Sequence, residues 1–473
     1  MAEGNHRVVV LVLDGAKPLD VGIPAQVFTS RPSMPYEVHV CGAAPGLVTG
    51  GDGLSYQVAE GLDAFAAADT IFPLNRRTRP PRHRRGGRAA ALRLPGLPCG
   101  HAAGGPRRDA PGDGRRAVAA RRRDRRGDVL STAWTEPGAF EEAPGVHRIP
   151  LPLPQDGLRA VNVYALAVAD DLVLIDAGWA IPESRARLID ALDGLGHAPA
   201  DIRRFLVTHV HRDHYTQAVA LRREFGTRIS LGAGERTTIE HAHDANRPTL
   251  EGQLRILAQM GAQDLVREIA ASVPSGSPED QRRFWEYPDD WFDGQETLQV
   301  AGRTLTVLPT PGHTNGHVVF HDEAAGVLFA GDHVLPEITP SIGFDAAVAP
   351  NPLRDYLGSL ALIRSRPDAL LLPAHGPAAP SVHRRVDELV EHHGARLEQT
   401  EKAVASGAET GLEVTARLPW TRRERRFDDL DLFNRMLAVC ETAAHLELLV
   451  SQGRLHAERD QSLDGPIRRF RTA

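Results

Sequence analysis

Side chains able to bind a metal are concentrated in one short run, Thr208-His209-Val210-His211-Arg212-Asp213-His214. Neutral imidazole and carboxylate are good ligands for zinc and similar divalent ions. His209 and His211 are two residues apart, so in an extended loop they point the same way. Asp213 continues that alternation, and His214 faces elsewhere. One such loop can serve two metals.

Five apolar strands each lead into a residue fit to bind or orient a metal. Ile175 is followed by Asp176, and Val207-Thr208 by the histidine run. Leu308 leads through Pro309-Thr310-Pro311-Gly312 to His313. Phe329-Ala330-Gly331 leads to Asp332, and Leu372-Pro373-Ala374 to His375. Gly or Pro beside these positions suits tight turns that present a side chain from a rigid edge. A lone carboxylate such as Asp332 can bridge two ions. Two ions about 3.5–4 Å apart hold a hydroxide and polarise a carbonyl or phosphoryl oxygen. Binding to a metal lowers the pKa of water from about 15.7 toward roughly 7. His209, His211 and Asp213 are the candidate catalytic residues. Isolated histidines such as His39, His83, His147 and His241 read as structural or exposed.

With Pro311-Gly312-His313-Thr314, Gly331-Asp332-His333 and Pro373-Ala374-His375-Gly376 in order behind the run, residues 146–380 resemble the metallo-β-lactamase superfamily. The resemblance also rests on Leu174-Ile175-Asp176-Ala177-Gly178. It implies an α/β fold, an αββα sandwich with the site at one edge. It further implies that His209, His211 and His313 hold one metal and Asp213, His214 and His375 the other. Asp332 would then bridge, and Asp176 would orient the cluster from behind. The cofactors expected are two divalent ions, zinc first, with iron or manganese as alternatives.

Strands are expected at 160–166, 172–175, 205–207, 298–300, 305–308, 317–320, 327–329 and 370–372. Helices are expected at 182–195 and 215–225, with Gly226 as a C-cap. Residues 234–292 read as a mostly helical insert with an aromatic cluster. Residues 381–473 read as a helical region that ends in a short polar tail; within it, residues 392–458 resemble the small winged-helix-like cap of one branch of that superfamily, and a plain helical bundle packed on the sandwich fits equally.

Residues 1–74 begin like an α/β unit, with strands at 8–13 and 36–41. The runs Val10-Leu11-Val12-Leu13-Asp14-Gly15 and Pro24-Ala25-Gln26-Val27-Phe28 resemble the start of a PfpI-like, class I glutamine amidotransferase-like domain. That family's nucleophile-elbow segment does not follow, so the segment is expected to have no catalytic role. Residues 75–145 read as an Arg/Pro/Gly-rich linker. Residues 75–127 hold 17 Arg, 3 Asp and no Glu or Lys. No apolar period survives there to offset chain entropy. Two readings are open: a basic disordered linker that touches nucleic acid, or a stretch with no selected function from an altered reading frame. Its abrupt start inside a strand-like segment favours the second.

The whole chain of 473 residues carries a formal charge of −6, so the rest of it is strongly acidic. An acidic body argues against binding nucleic acid by charge. Cys41, Cys99 and Cys440 fit neither a disulfide framework nor a cysteine zinc knot. No apolar run is long enough for a membrane helix. The first residues lack a signal-peptide pattern, so a cytoplasmic location is expected.

The expected function is binuclear metal-dependent hydrolysis of a small ester, thioester or lactone. Nothing recommends a lactam over other carbonyl substrates. A mononuclear iron sulfur dioxygenase is an alternative, opposed by the second ligand set. A nuclease or phosphodiesterase would need a basic groove. A regulatory binding protein with a structural metal core is the last alternative. Phe284, Trp285, Trp291 and Phe344 either line an apolar cleft or pack the insert onto the sandwich, and packing is favoured.

Overall fold

A computed structural model describes residues 6–13, 36–49, 55–68, 70–73, 132–154, 157–168, 171–244, 250–272, 283–421, 424–462 and 465–473. The Arg-rich stretch and the Asp14–Phe28 part of the PfpI-like resemblance lie outside the described residues. The chain divides into two compact units, 1–121 and 122–473. In the first unit, β1 (His6–Leu11) lies between β2 (Tyr36–Cys41) and β5 (Thr70–Pro73), parallel to both. A separate hairpin joins β3 (Gly46–Thr49) and β4 (Ser55–Val58).

The second unit holds two packed sheets. The first has the order β12-β11-β10-β9-β8-β7-β6. Its strands are β6 (Phe140–Ala143), β7 (Val146–Pro152), β8 (Ala160–Val168), β9 (Asp171–Ile175), β10 (Ile202–Leu206), β11 (Arg228–Gly232) and β12 (Asp290–Phe292). The second has the order β13-β14-β15-β16-β17. It comprises β13 (Glu296–Val300), β14 (Arg303–Pro309), β15 (Val318–Asp322), β16 (Val327–Gly331) and β17 (Leu370–Pro373).

Side chains alternate between the two faces of each sheet, as the pleat requires. Tyr164 and Leu166 of β8 meet Val327 and Phe329 of β16 in the core between the sheets. Val161, Val163 and Ala165 point the other way, onto α1 (Pro182–Gly194) and α2 (Arg212–Phe225). Leu328 and Ala330 likewise turn outward, onto α6 (Pro352–Arg364) and the C-terminal helices. The result is the expected αββα sandwich.

Between β11 and β12 lie α3 (Arg236–His243), α4 (Glu251–Gln259) and α5 (Gln263–Ser272). The expected helical insert therefore ends in a strand: β12 pairs in parallel with β11 at the sheet edge. The C-terminal region contains α7 (Val382–Ala405), α8 (Gly411–Arg417) and α9 (Leu432–Ser451). The expected polar tail is instead a hairpin of β18 (Leu455–Ser462) and β19 (Gly465–Thr472). Leu455 and Phe470 anchor it in the helical core. No described helix is long and apolar enough to cross a membrane.

Candidate metal centre

The C-terminal ends of β9, β10, β14, β16 and β17 deliver the candidate ligands to one edge of the sandwich. His209, His211, His313 and Asp332 form one cluster of potential ligand atoms, and Asp213, His214 and His375 a second. Within each cluster these atoms lie within 4.8 Å of one another. His209 Nε2 is 2.9 Å and His313 Nε2 3.1 Å from His211 Nδ1. Asp213 Oδ2 lies 3.4 Å from His375 Nε2 and 3.7 Å from His214 Nε2.

Asp332 stands between the clusters. Its Oδ2 is 3.5 Å from His313 Nε2 and 4.0 Å from His209 Nε2. Its Oδ1 is 3.4 Å from His375 Nε2 and 3.7 Å from His214 Nε2. Asp332 Oδ1, His214 Nε2 and His375 Nε2 are buried with no hydrogen-bond partner. Buried polar atoms are nearly always paired, and a cation among these three would satisfy them all. The donor set therefore fits two divalent ions. It holds only imidazole and carboxylate, which does not discriminate zinc from iron or manganese.

The ligand loop departs from the expected alternation. Asp213 and His214 lie in the first turn of α2, with His211 as its N-cap residue. Helical geometry, not an extended strand, separates the two side chains.

Each of four imidazoles is fixed through its Nδ1, which leaves Nε2 for a metal. The Nδ1 partners are Thr208 Oγ1 for His209 (3.1 Å), Asp176 Oδ2 for His214 (2.9 Å), the Ser341 carbonyl for His313 (2.8 Å) and the Ala160 carbonyl for His375 (2.8 Å). Asp176 also accepts from the backbone N–H of Thr208 at 2.8 Å and from its hydroxyl at 3.0 Å. It does so from a left-handed backbone conformation, φ +59°, which aspartate tolerates better than most residues.

Burial and the adjacent imidazoles push His209 well below the usual histidine range. Burial, then His313, pushes His211 down to about 3. Both are thus neutral at neutral pH, the form that binds a metal. Burial opposes protonation of His214, but Asp176, Asp213 and Asp332 outweigh it and carry His214 up to about 10. A cation among those carboxylates would displace that proton.

Further supports were not apparent from sequence. His317 accepts the Asp332 backbone N–H through Nε2 at 3.1 Å, and its Nδ1 lies 2.8 Å from Thr310 Oγ1. Asn162 of β8 donates to the carbonyls of Pro373 (3.0 Å) and Gly376 (2.8 Å), bracing the His375 turn from the opposite sheet. Buried Glu235 accepts the Thr314 hydroxyl, and Asp345 accepts the Asn315 backbone N–H at 3.1 Å and Thr238 Oγ1 at 2.9 Å. Burial, then Asp345, raises Glu235 well above the usual carboxylate range. The loop after His313 is thereby gripped from two sides. Only proximity could have found these residues, since 79 positions separate Glu235 from Thr314.

Of the aromatic candidates, Trp285 and Trp291 pack on the helical face of the first sheet. Trp285 lies parallel to Tyr215 at 6.5 Å, and Arg236 sits over Trp291 at 4.5 Å. Phe344 reaches the site, its ring centre 6.5 Å from that of His211. A separate cavity of about 310 Å³ is lined by residues including Ile256, Met260, Gly343, Pro350, Cys440 and Ala444. None of the seven candidate ligands lines it, so it is distinct from the metal clusters.

Comparison with known proteins agrees with this geometry. Residues 156–375 match the sequence model of the metallo-beta-lactamase superfamily. The Caenorhabditis elegans "Beta-lactamase-like protein 2 homolog" is 31% identical over 281 residues, which span 58% of this chain and 77% of the relative. An Aspergillus fumigatus "Atrochrysone carboxyl ACP thioesterase" is 24% identical over 253 residues, spanning 53% of this chain and 43% of that protein. A metallo-beta-lactamase family protein from Thermus thermophilus superposes with a TM-score of 0.56 at 29% identity, covering 70% of this chain and 99% of that structure. Fold, clustered ligands and sequence similarity together show that this chain belongs to the metallo-beta-lactamase superfamily.

Proposed function

We propose that this protein is a binuclear metal-dependent hydrolase of a small ester, thioester or lactone. The carrying observation is Asp332, whose two oxygens face two different ligand clusters. His209, His211 and His313 would hold one ion and Asp213, His214 and His375 the other, with the Asp332 carboxylate shared between the two clusters. Such ions, when bound, would supply Lewis-acid polarisation of a scissile carbonyl and acidify a water. The chain's own part is to fix the ligand geometry. Thr208, Asp176, Ser341 and Ala160 set the imidazole tautomers, and His317 holds the Asp332 turn.

The second cluster disfavours a mononuclear iron dioxygenase, because Asp213, His214 and His375 would then be superfluous. The similarity to an acyl-carrier thioesterase supports a thioester among the carbonyl substrates. Zinc is the proposed metal. Residues 7–73 are assigned no catalytic part.

The test is metal analysis of the purified protein, followed by a panel of p-nitrophenyl esters, acyl lactones, acyl thioesters and bis-p-nitrophenyl phosphate. About two ions per chain and turnover of a carbonyl substrate are expected, with His211→Ala losing both metal and turnover. Turnover of the phosphodiester alone, or unchanged turnover in His211→Ala, would overturn the reading.

A further inference from the structure

Two phenylalanines form a continuous apolar surface from the metal centre to solvent. Phe344 stands edge-on to His211 at 6.5 Å between ring centres. On Phe344, in turn, rests Phe433, at 5.6 Å and 80°. Phe344 is half-buried and packs against the helical core, whereas Phe433 is 53% exposed. A single exposed apolar side chain calls for no explanation. This one is continuous with a ring beside a candidate metal ligand.

The backbone on which each ring stands is held in place. Ser341, three residues before Phe344, accepts from His313 Nδ1 at 2.8 Å. Asp345, next to Phe344, is tied by its side chain to Thr238 and by its carbonyl to Gln253 Nε2 at 3.2 Å. Gln253 Nε2 also donates to the Phe344 carbonyl, which fixes the backbone from which the Phe344 ring faces His211. Phe433 lies in the first turn of α9, where Asp431 caps the helix by accepting from the Asn434 N–H at 2.9 Å. Leu432 packs against the helical core, and Phe433 projects outward.

We propose that Phe344 and Phe433 form the ledge that binds the apolar acyl group of the substrate, so that the C-terminal helical region helps to set specificity. The preferred substrates are esters or thioesters of medium-chain or aromatic acids. An acetyl group is too short to pass Phe344 and meet Phe433. This inference rests on the hydrolase reading above.

The full-length metal-loaded protein is assayed on p-nitrophenyl acetate and p-nitrophenyl octanoate, and its binding of acetate and octanoate is measured by calorimetry. The wild type should favour the octanoyl ester. Phe433→Ala should lower the octanoyl-to-acetyl ratio of kcat/KM about tenfold, mainly through KM, as expected when a few tens of Å² of apolar contact are lost. Phe433→Leu should restore most of the ratio. Metal content should match the wild type. An unchanged ratio in Phe433→Ala overturns the ledge. Octanoate binding is independent of turnover. If no ester is hydrolysed but octanoate binds more tightly than acetate and Phe433→Ala removes the difference, the ledge stands and only the ester-hydrolase reading falls. Equal binding of the two acids overturns the ledge.

Discussion

Asp176 offers the sharpest separation of stability from metal binding. Its carboxylate receives the Thr208 N–H at 2.8 Å and faces His214 Nδ1 at 2.9 Å. Thr208, His214 and Asp176 are all buried. Asp176→Ala leaves the Thr208 N–H and the His214 Nδ1–H without a partner. Each orphaned donor costs about 1–3 kcal/mol. Alanine in the left-handed backbone region adds about 1–2 kcal/mol. The variant should therefore lose about 3–8 kcal/mol, a large share of the stability of about 5–15 kcal/mol usual for a domain.

Asp176→Asn should behave differently. Asparagine tolerates the backbone conformation, and its carbonyl still accepts from Thr208. Its amide then faces His214 Nδ1 and donates to it, which moves the imidazole proton to Nε2, the atom that must bind metal. Stability should fall by less than in Asp176→Ala, because the Thr208 N–H keeps its acceptor and the backbone strain is tolerated. Affinity at the Asp213–His214–His375 cluster should fall about 10–100-fold. Urea unfolding of the metal-depleted protein reads the first quantity, and chelator competition reads the second. Wild-type affinity for both ions in Asp176→Asn would refute the orienting role.

Three further outcomes are expected. A Cβ on Gly312, which has φ +138°, would sit 2.5 Å from the Tyr356 Cα, so Gly312→Ala should displace the His313 turn, lower Tm and weaken metal binding; an unchanged Tm counts against that close packing. Glu235→Gln should retain metal affinity, because glutamine keeps an acceptor for the Thr314 hydroxyl and burial and Asp345 already push the carboxyl toward its neutral form, whereas Glu235→Ala should weaken it severalfold; equal affinities in the two variants would dismiss the support role. Burial holds His445 down to about 3, so below about pH 6.5 the unfolded chain takes a proton there that the folded chain refuses. Stability should then fall with acidification by about 1.4 kcal/mol per pH unit at this site, until the folded group titrates. His445→Gln should flatten the slope by that amount in unfolding curves between pH 6 and 4, and an undiminished slope would exclude His445 as a source.

The sandwich was legible because its strands are short apolar runs with a ligand type just past each end. Ile175 runs directly into Asp176, whereas Leu308 and Leu372 are followed by prolines that end their strands shortly before His313 and His375. The start of α2 was harder to read. His209 and His211 suggest an extended loop, and only the N-cap position of His211 shows that Asp213 has entered a helix. The C-terminal hairpin was missed because Glu458, Arg459, Asp460, Arg468 and Arg469 leave little apolar alternation. The Asp464-Gly465 pair was its one turn signal. Phe433, Glu235 and Asn162 carry no motif, and their importance comes from neighbours far away in sequence.

That division follows from how the site is built. The run from His209 to His214 comes from the first sheet, whereas His313, Asp332 and His375 come from the second. Neither sheet alone supplies a complete ligand set for either cluster. The two sets meet only because the core between the sheets fixes their separation, with Tyr164 of one sheet edge-on to Phe329 of the other at 5.4 Å. Cross-sheet hydrogen bonds reinforce that separation at the ligands themselves. Tyr164 Oη donates to the Pro373 carbonyl at 2.8 Å, and His375 Nδ1 lies 2.8 Å from the Ala160 carbonyl. A ligand motif can be read along the chain, but the distance between its two halves is set by packing. Asp332, whose Oδ2 faces His209 and whose Oδ1 faces His214, both from the first sheet's run, depends directly on how well the two sheets fit together.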